Sequence, residues 1–495
     1  MKREHFLEKN EVREITIFNQ LVLHAGTLSY TEMIDYLHIS KASLENDLNS
    51  LADKISGFAK EVEISFDGKT ITLYMSDTFS LQQIYQLYLK ESVKVLIIHY
   101  LFEHQEFSIA QLTQELLISE SSLFRRIKEL NRYLQEFQLK IRNGQLQGEE
   151  LQIRYFYLQF YNYVADASLL IKPHTEADAR HMIQFMEKSL KFSVVPQSLH
   201  RLTLWVIISQ SRIRYSKKNY QSLRKLIQPY ASDPLFRDLQ SMILRYYSRY
   251  SIEVEEAEAM LFFAFILAFP IFTEPDFHEY RLMRNRRNPV ASMDTYIAET
   301  IINYFDFKKL PYMLEREMYY HLSSIHARLY FFHGDIEVYD YEHILAKKNQ
   351  LTEEHLLPFS KTLLSTSSRT LYPAVSSEGS SLLKMERLKY ISLLILISLN
   401  MSKSIAIGID LKMDRLYKET LTELLMLRLR PINGIHVDYY QKDKNYDLIL
   451  TNIEPVQQDT YAGAHVYVLS EILSSFDLVN IRQIIQTLNT GASTG

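Results

Sequence analysis

The chain of 495 residues contains no cysteine. Disulfides, thiolate zinc sites and thiol nucleophiles are therefore excluded, and a reducing, cytoplasmic setting is expected. Glycine and proline are scarce, 12 of each, which disfavours a β-rich chain. With abundant Leu, Ile, Tyr and Phe, the composition points to a mainly α protein. Neither sign of charge dominates: the formal net charge is −4, so any surface for a polyanion must be local. Long apolar runs are also missing. The longest, Met260–Phe272, is about 13 residues and contains Pro270, too short to span a bilayer and suited to a buried helix. The opening MKREHFLEKNEVRE is charged and lacks the apolar core of a signal peptide. No His/Asp/Glu cluster has metal-ligand spacing, so neither metal nor cofactor is expected. What the chain does have is 47% hydrophobic residues, enough for several cores, and a length that suggests about three to five domains.

The most informative stretch is Ser119–Gly148. Leu123, Ile127, Leu130 and Leu134 fall at helical spacing and form one apolar stripe. At about 100° per residue, Ser121, Arg125, Lys128 and Arg132 lie on the opposite side. A short alternating hairpin with Asn143-Gly144 at its turn follows, carrying Lys140 and Arg142. A leucine-seamed helix with a basic outer face and a hairpin looks like the recognition helix and wing of a winged helix-turn-helix. An ordinary helix with a solvated basic face would show the same pattern.

The layout occurs twice. Upstream, Ile17, Phe18, Leu21 and Val22 mark a first helix and Ser29-x-x-Glu32 caps a second. A turn at His38-Ile39 leads to a third helix, capped by Ser40, with apolar Leu44, Leu48, Leu51 and Ile55. The hairpin EVEISFDGKTITLYM turns at Asp67-Gly68. An offset of 79 carries Leu44, Leu48, Leu51 and Ile55 onto Leu123, Ile127, Leu130 and Leu134, and Ser29 and Glu32 onto Ser108 and Gln111. It also carries the first-helix positions onto Leu96, Ile97, Tyr100 and Leu101. Two copies, each with a hairpin after its third helix, favour tandem winged helices. They differ in charge: the outer face of the first third helix is Ala42, Asn46, Asn49 and Asp53. The second copy is thus the expected electrostatic anchor, because Arg and Lys neutralise phosphates. In the first, Asn46 and Asn49 could read adenine edges, or the face could serve as a scaffold or dimer surface.

Glu149–Val164 starts a helix expected to pack on the second module. Residues 165–400 read as two helical blocks, divided near Asn288-Pro289. In the first block, Arg212, Arg214, Lys217, Lys218, Arg224 and Lys225 are close in sequence. They read as a solvated face balanced by Glu253–Glu258, or as further contacts to DNA or a phosphoryl-bearing partner. The second block has His321, His326, His333, His343 and His355, and Leu364–Ser381 is loop-like. The last hundred residues alternate strand and helix patterns, expected to form a small α/β domain with a parallel sheet. No GxGxxG or P-loop glycine pattern occurs in it.

This order of parts resembles the Mga and RofA-like family of stand-alone virulence regulators of Gram-positive cocci. The resemblance is strongest over FQLKIRNGQLQGEELQIRYFYLQFY at 137–161. It implies winged helix-turn-helix domains at 1–76 and 77–160, and helical domains like those of phosphotransferase regulation (PRD) at 161–288 and 289–400. A domain similar to phosphotransferase enzyme IIB is implied at 401–495. It further implies a DNA-binding transcriptional regulator, usually an activator of virulence or surface-protein genes, acting on double-stranded promoter DNA as a homo-oligomer, without enzymatic activity. Mapped onto this chain, the DNA-contacting residues would be Ser121, Ser122, Arg125, Arg126, Lys128, Arg132, Lys140 and Arg142, with Lys41, Ser43, Asn46 and Asn49 in the first copy. Sugar-transport status could act through phosphocarrier proteins that modify histidines. His321 stands seven residues before Arg328, the family's spacing, whereas Trp205 holds the place before Arg212 and EVEEAEAMLFFAFI has no histidine. The cysteine of enzyme IIB is missing from SIAIGIDLKMD, so the last domain reads as a binding or assembly module. The alternatives are a PRD-type RNA-binding antiterminator, which would begin with a small β-rich domain, and a phosphoryl-relaying transport component, which would need that cysteine.

Overall fold

A computed structural model describes residues 1–58, 60–215, 218–305, 310–338, 356–372, 380–401, 405–429, 435–454, 461, 463–470 and 474–490. Lys217, His343 and His355 lie outside the described residues, as do 373–379. The chain divides into two compact units, Met1–Ile391 and Ser392–Gly495.

The first unit opens with α1 (Lys9–Leu23), β1 (Thr27–Ser29), α2 (Tyr30–Leu37), α3 (Lys41–Ile55) and the hairpin β2 (Val62–Phe66)–β3 (Thr70–Met75). The strands form one antiparallel sheet in the order β1-β3-β2. Local chemistry sets these boundaries. Ser29 caps α2 by accepting from the Glu32 N–H, while the Glu32 carboxylate accepts from the Ser29 N–H, a reciprocal capping box. His38 ends α2 in the left-handed conformation at φ 54°, and Ser40 caps α3. Asp67 Oδ1 accepts from the Lys69 and Thr70 N–H groups at 2.9 and 2.7 Å, which closes the wing turn.

After α4 (Leu81–Leu89), a helix without a signature in the repeat, the plan recurs as α5 (Val93–His104), α6 (Ile109–Leu116), α7 (Glu120–Leu134), β4 (Lys140–Arg142) and β5 (Gln145–Gln147). Ser108 caps α6 with Gln111, Leu117 ends it at φ 53°, and Ser119 caps α7, all at the expected 79-residue offset. The first helix departs from that register. Ile15, Ile17, Phe18 and Leu21 are buried in α1, and Val95, Ile97, Ile98 and Leu101 in α5, an offset of 80. Leu96 and Tyr100 are half-buried and Val22 is exposed. The connection from first to second helix is therefore one residue shorter in the second copy.

The helix after the second wing, α8 (Glu150–Tyr163), does pack on the second module. The Phe102 ring meets Tyr157 and Tyr161, and Phe137 meets Tyr155 and Phe156. It is, however, buried on all sides from Glu150 to Tyr161. Its other faces meet α10 (Leu199–Ile213), α13 (Ala257–Ala268) and the end of α16 (Tyr312–Phe331). Gln152 Nε2 donates to the Phe331 carbonyl at 2.8 Å and Tyr155 OH to the Gly334 carbonyl at 3.0 Å. A helix surrounded by other helices has no polar face to show. The apolar run expected as a buried helix is α13 and the residues that follow it, with Phe262, Phe263 and Phe265 fully enclosed.

Two expectations for the helical region need correction. Arg212 and Lys218 are not on a solvated face. Arg212 makes two bonds to the Glu150 carboxylate, 2.7 and 2.8 Å, and Lys218 Nζ lies 3.6 Å from Glu258. Arg224 and Lys225 are exposed. The loop expected from Leu364 is also partly helical: helix Leu356–Leu371 runs through its first residues.

The second unit contains the predicted α/β alternation. Strands β6 (Ile405–Asp410), β7 (Ile435–Tyr439), β8 (Leu448–Thr451) and β9 (His465–Val468) form a parallel sheet in the order β7-β6-β8-β9. Helices Arg415–Leu429 and Ser475–Thr490 accompany it. Asp410, at the end of β6, is paired with Lys412 and Lys418 at 2.6 and 3.6 Å. Among the described residues no helix is long and apolar enough to cross a membrane.

Candidate nucleic-acid interface

In the second module α7 is seated by its apolar seam, with Leu123, Leu130 and Leu134 fully buried. The opposite side is open. Ser121, Arg125, Lys128 and Arg132 are all exposed, as are Ala42, Asn46, Asn49 and Asp53 at the equivalent places of α3. Among the described residues Arg125, Lys128 and Arg132 form no ion pair. The wing adds Lys140 and Arg142, both exposed at the two ends of β4. Asn143 and Gly144 turn it at φ 52° and 73°, where glycine also admits the Phe107 carbonyl, 2.1 Å from where a Cβ would sit. Asn131 fixes the wing to the helix. Its Nδ2 donates to the Ile141 carbonyl at 2.9 Å and its Oδ1 accepts from the Ile141 N–H at 2.5 Å. The result is an uncompensated cationic strip of three helix residues and two wing residues on one rigid frame, the arrangement that suits a phosphate backbone.

Ser122 and Arg126, expected on this face, are half-buried and bonded to one another at its flank. Arg126 bonds to the Ser122 hydroxyl and pairs with Glu8 at 3.1 Å. The residues before α1 run along this flank of α7: the His5 ring stacks on Tyr133 at 3.9 Å, and Lys94 Nζ donates to the His5 and Leu7 carbonyls. Burial, with the cationic groups around it, holds the His5 imidazole down at about 4. The equivalent of Arg126 in the first copy, Asp47, is buried and bound by Arg13 at 2.8 and 2.9 Å. Comparing the two copies at this one position was the available signal that it is structural. Asn131, whose bonds to the wing leave no trace in periodicity, was missed.

In α3, Asn46 and Asn49 are exposed. Lys41 lies 3.9 Å from Glu45 and 5.5 Å from the Tyr30 ring centre, and the Ser43 hydroxyl is bonded to that of Ser40 at 3.0 Å. The first copy therefore has no cationic strip like that of the second. His321, on α16, is about 45% exposed, 3.9 Å from Glu317. Five residues on, His326 is sealed: Nδ1 lies 2.5 Å from Asp294, itself paired with Arg284, and Nε2 lies 2.7 Å from the Tyr390 hydroxyl. Trp205 is fully enclosed and stacked on Phe265 at 4.4 Å.

Comparison with known proteins finds similarity over this surface. Residues 77–161 match the Mga helix-turn-helix domain. The chain is 23% identical over 266 residues to a candidate trans-acting regulator of Streptococcus pneumoniae serotype 4, covering 50% of this chain and 51% of that protein. It is 26% identical over 158 residues to the capsule synthesis positive regulator AcpB of Bacillus anthracis, covering 31% of this chain and 32% of AcpB. The chain thus spans about half the length of the first relative and about a third of the second. The matched segment runs from α4 to α8 and includes the whole cationic strip. Residues 77–161 thus match the Mga helix-turn-helix domain, and it is through this segment that the chain is similar to regulators of that kind.

Proposed function

We propose that this chain is a DNA-binding transcriptional regulator, acting in the cytoplasm as a positive regulator of virulence, capsule or surface-protein genes. The observation that carries the reading is the uncompensated strip of Arg125, Lys128, Arg132, Lys140 and Arg142 in the Mga-type domain. The α7 helix enters the major groove with Ser121 and Arg125 nearest the bases, while Lys128, Arg132 and the wing contact phosphates. The α3 helix, through Asn46 and Asn49, makes a secondary contact. The positive direction of control is supported by the name of the Bacillus anthracis relative. An RNA-binding antiterminator is disfavoured by the two helix-turn-helix layouts, each followed by a hairpin. A phosphoryl-relaying enzyme is disfavoured by the lack of cysteine.

In this reading the chain divides into five parts at 76/77, 160/161, 288/289 and 400/401, and dimerises through the helical or C-terminal domains. Control by phosphocarrier proteins would act at His321, the accessible histidine of α16. Incubation with phosphoenolpyruvate and the general phosphocarrier proteins should label the wild type and spare His321→Ala; equal labelling of both removes that element.

Mapping bound genomic fragments supplies the duplex for the main test. The double variant Arg125→Ala/Arg132→Ala should bind that duplex more weakly. The slope of log affinity against log salt should fall by about 1, since Arg132 supplies one phosphate contact and each removes about 0.9. An unchanged affinity and slope would place the DNA contact elsewhere.

A further inference from the structure

We propose that Phe124 is a specificity-determining residue that reads the C5-methyl group of thymine in the major groove. This inference rests on the DNA-binding reading of α7. Phe124 is the fifth residue of that helix and its side chain is 51% exposed. It sits one turn from Lys128 and about 60° around the axis from Ser121, on the open side of the helix. An isolated exposed aromatic is ordinary, but this one is set into the cationic strip. With Ile127, Lys128, Asn131, Arg132 and Gln135 it lines a shallow hollow of about 410 Å³, on the flank that Asn131 ties to the wing.

The surroundings determine what such a ring can meet. Two cations border the hollow, so its occupant is negatively charged overall yet offers an apolar group near Phe124. A DNA major groove satisfies both conditions. Phosphates line its edges, and the one apolar group on a base edge is the thymine methyl, for which a phenyl ring is a suitable contact. The early residues of a recognition helix are those that reach base edges. The first copy offers a control: the equivalent residue is Glu45, a carboxylate 3.9 Å from Lys41, which could not approach the groove this way. The basic residues hold the helix on any duplex, whereas Phe124, being uncharged, adds preference without adding to the salt dependence.

The test uses the full chain and duplexes selected from a random pool. Each thymine of the selected site is replaced in turn by deoxyuridine, which removes only the methyl group. At one or two positions the wild type should lose about fourfold in affinity, the worth of one buried methyl-sized group. Phe124→Ala should bind the parent duplex more weakly, keep the wild-type salt slope and be indifferent to deoxyuridine at those positions. Phe124→Leu, which keeps an apolar contact and the helix, should retain part of the preference. Equal deoxyuridine penalties in the wild type and both variants would overturn the assignment while leaving DNA binding intact. If the wild type selects no duplex at all, the DNA-binding reading itself fails, and the role of Phe124 with it.

Discussion

Leu117 holds an unfavourable position that the fold does not repay. It sits between α6 and α7 at φ 53°, a conformation that costs an L-residue with a Cβ about 1–2 kcal/mol. Its side chain is 90% exposed, so packing returns little. Leu117→Gly should therefore stabilise the protein by about 1 kcal/mol or less, after the extra unfolded-state entropy of glycine. A higher denaturation midpoint would show it; a lower one would mean that the side chain packs on something. His333 illustrates the opposite case, a residue held by burial. Desolvation lowers its imidazole to about 4, so the folded state resists protonation. Its contribution is whole above the unfolded value near 6.5 and is lost as pH falls towards 4. His5 works in the same direction. Denaturant titrations between pH 7 and 4 should show His333→Phe losing less stability than the wild type, and parallel curves would exonerate His333.

At the scale of elements, α7 and its wing behave as one piece because Asn131 bonds both backbone groups of Ile141. Asn131→Ala would leave a half-buried N–H and carbonyl without partners, at about 1–3 kcal/mol. It should also free the wing, so that amide exchange at Ile141 rises more than in the body of α7. Uniform exchange would show that the turn alone holds the hairpin. Most of this element could be read in advance. The leucine seam, the Ser119 cap, the Asn143-Gly144 turn and the open positions Ser121, Arg125, Lys128 and Arg132 follow from spacing within 30 residues. Ser122 and Arg126 could not, because what covers them in part is Glu8 and the segment around His5, more than 100 residues earlier in the chain. Helical periodicity records that a residue faces one way, not whether a distant strand of chain covers that side.

At the scale of the molecule, α8 joins the second helix-turn-helix module to the helical region through a buried charge network. Arg154 bonds to Glu150 at 2.8 Å and to both oxygens of Glu258 at 2.7 Å, and Arg212 holds Glu150 from α10. Burial would raise the Glu150 carboxyl, but Arg212 and Arg154 overcome it and hold the group below its ordinary value. Its stabilisation is present above the unfolded carboxylate range and disappears as pH falls through the lowered folded value. Among the described residues, removing Arg154 leaves the buried Glu150 with the Arg212 cation alone and the buried Glu258 with only the Lys218 cation, 3.6 Å away. Arg154→Leu should thus destabilise Met1–Ile391 by about 3–5 kcal/mol in denaturant unfolding. A loss under 1 kcal/mol would indicate that water reaches the carboxylates.

The sequence by itself determined the local units of this protein: the two helix-turn-helix layouts, their caps and wings, the charge difference between α3 and α7, and the α/β alternation after Ile405. Each depends on residues a few turns apart, where backbone geometry fixes what faces what. The tertiary structure alone decided which charges are free. Arg212 and Lys218 look like surface residues in sequence, yet Glu150 and Glu258 draw them inside, and Arg154 meets Glu258 across 104 residues of chain. It also decided the one-residue shift of α5 and the enclosure of α8. A cation is exposed or buried according to the cost of desolvating it against the carboxylate it finds. That partner comes from remote chain, so of the neighbours Arg125 and Arg126 the first is exposed and the second is paired with Glu8.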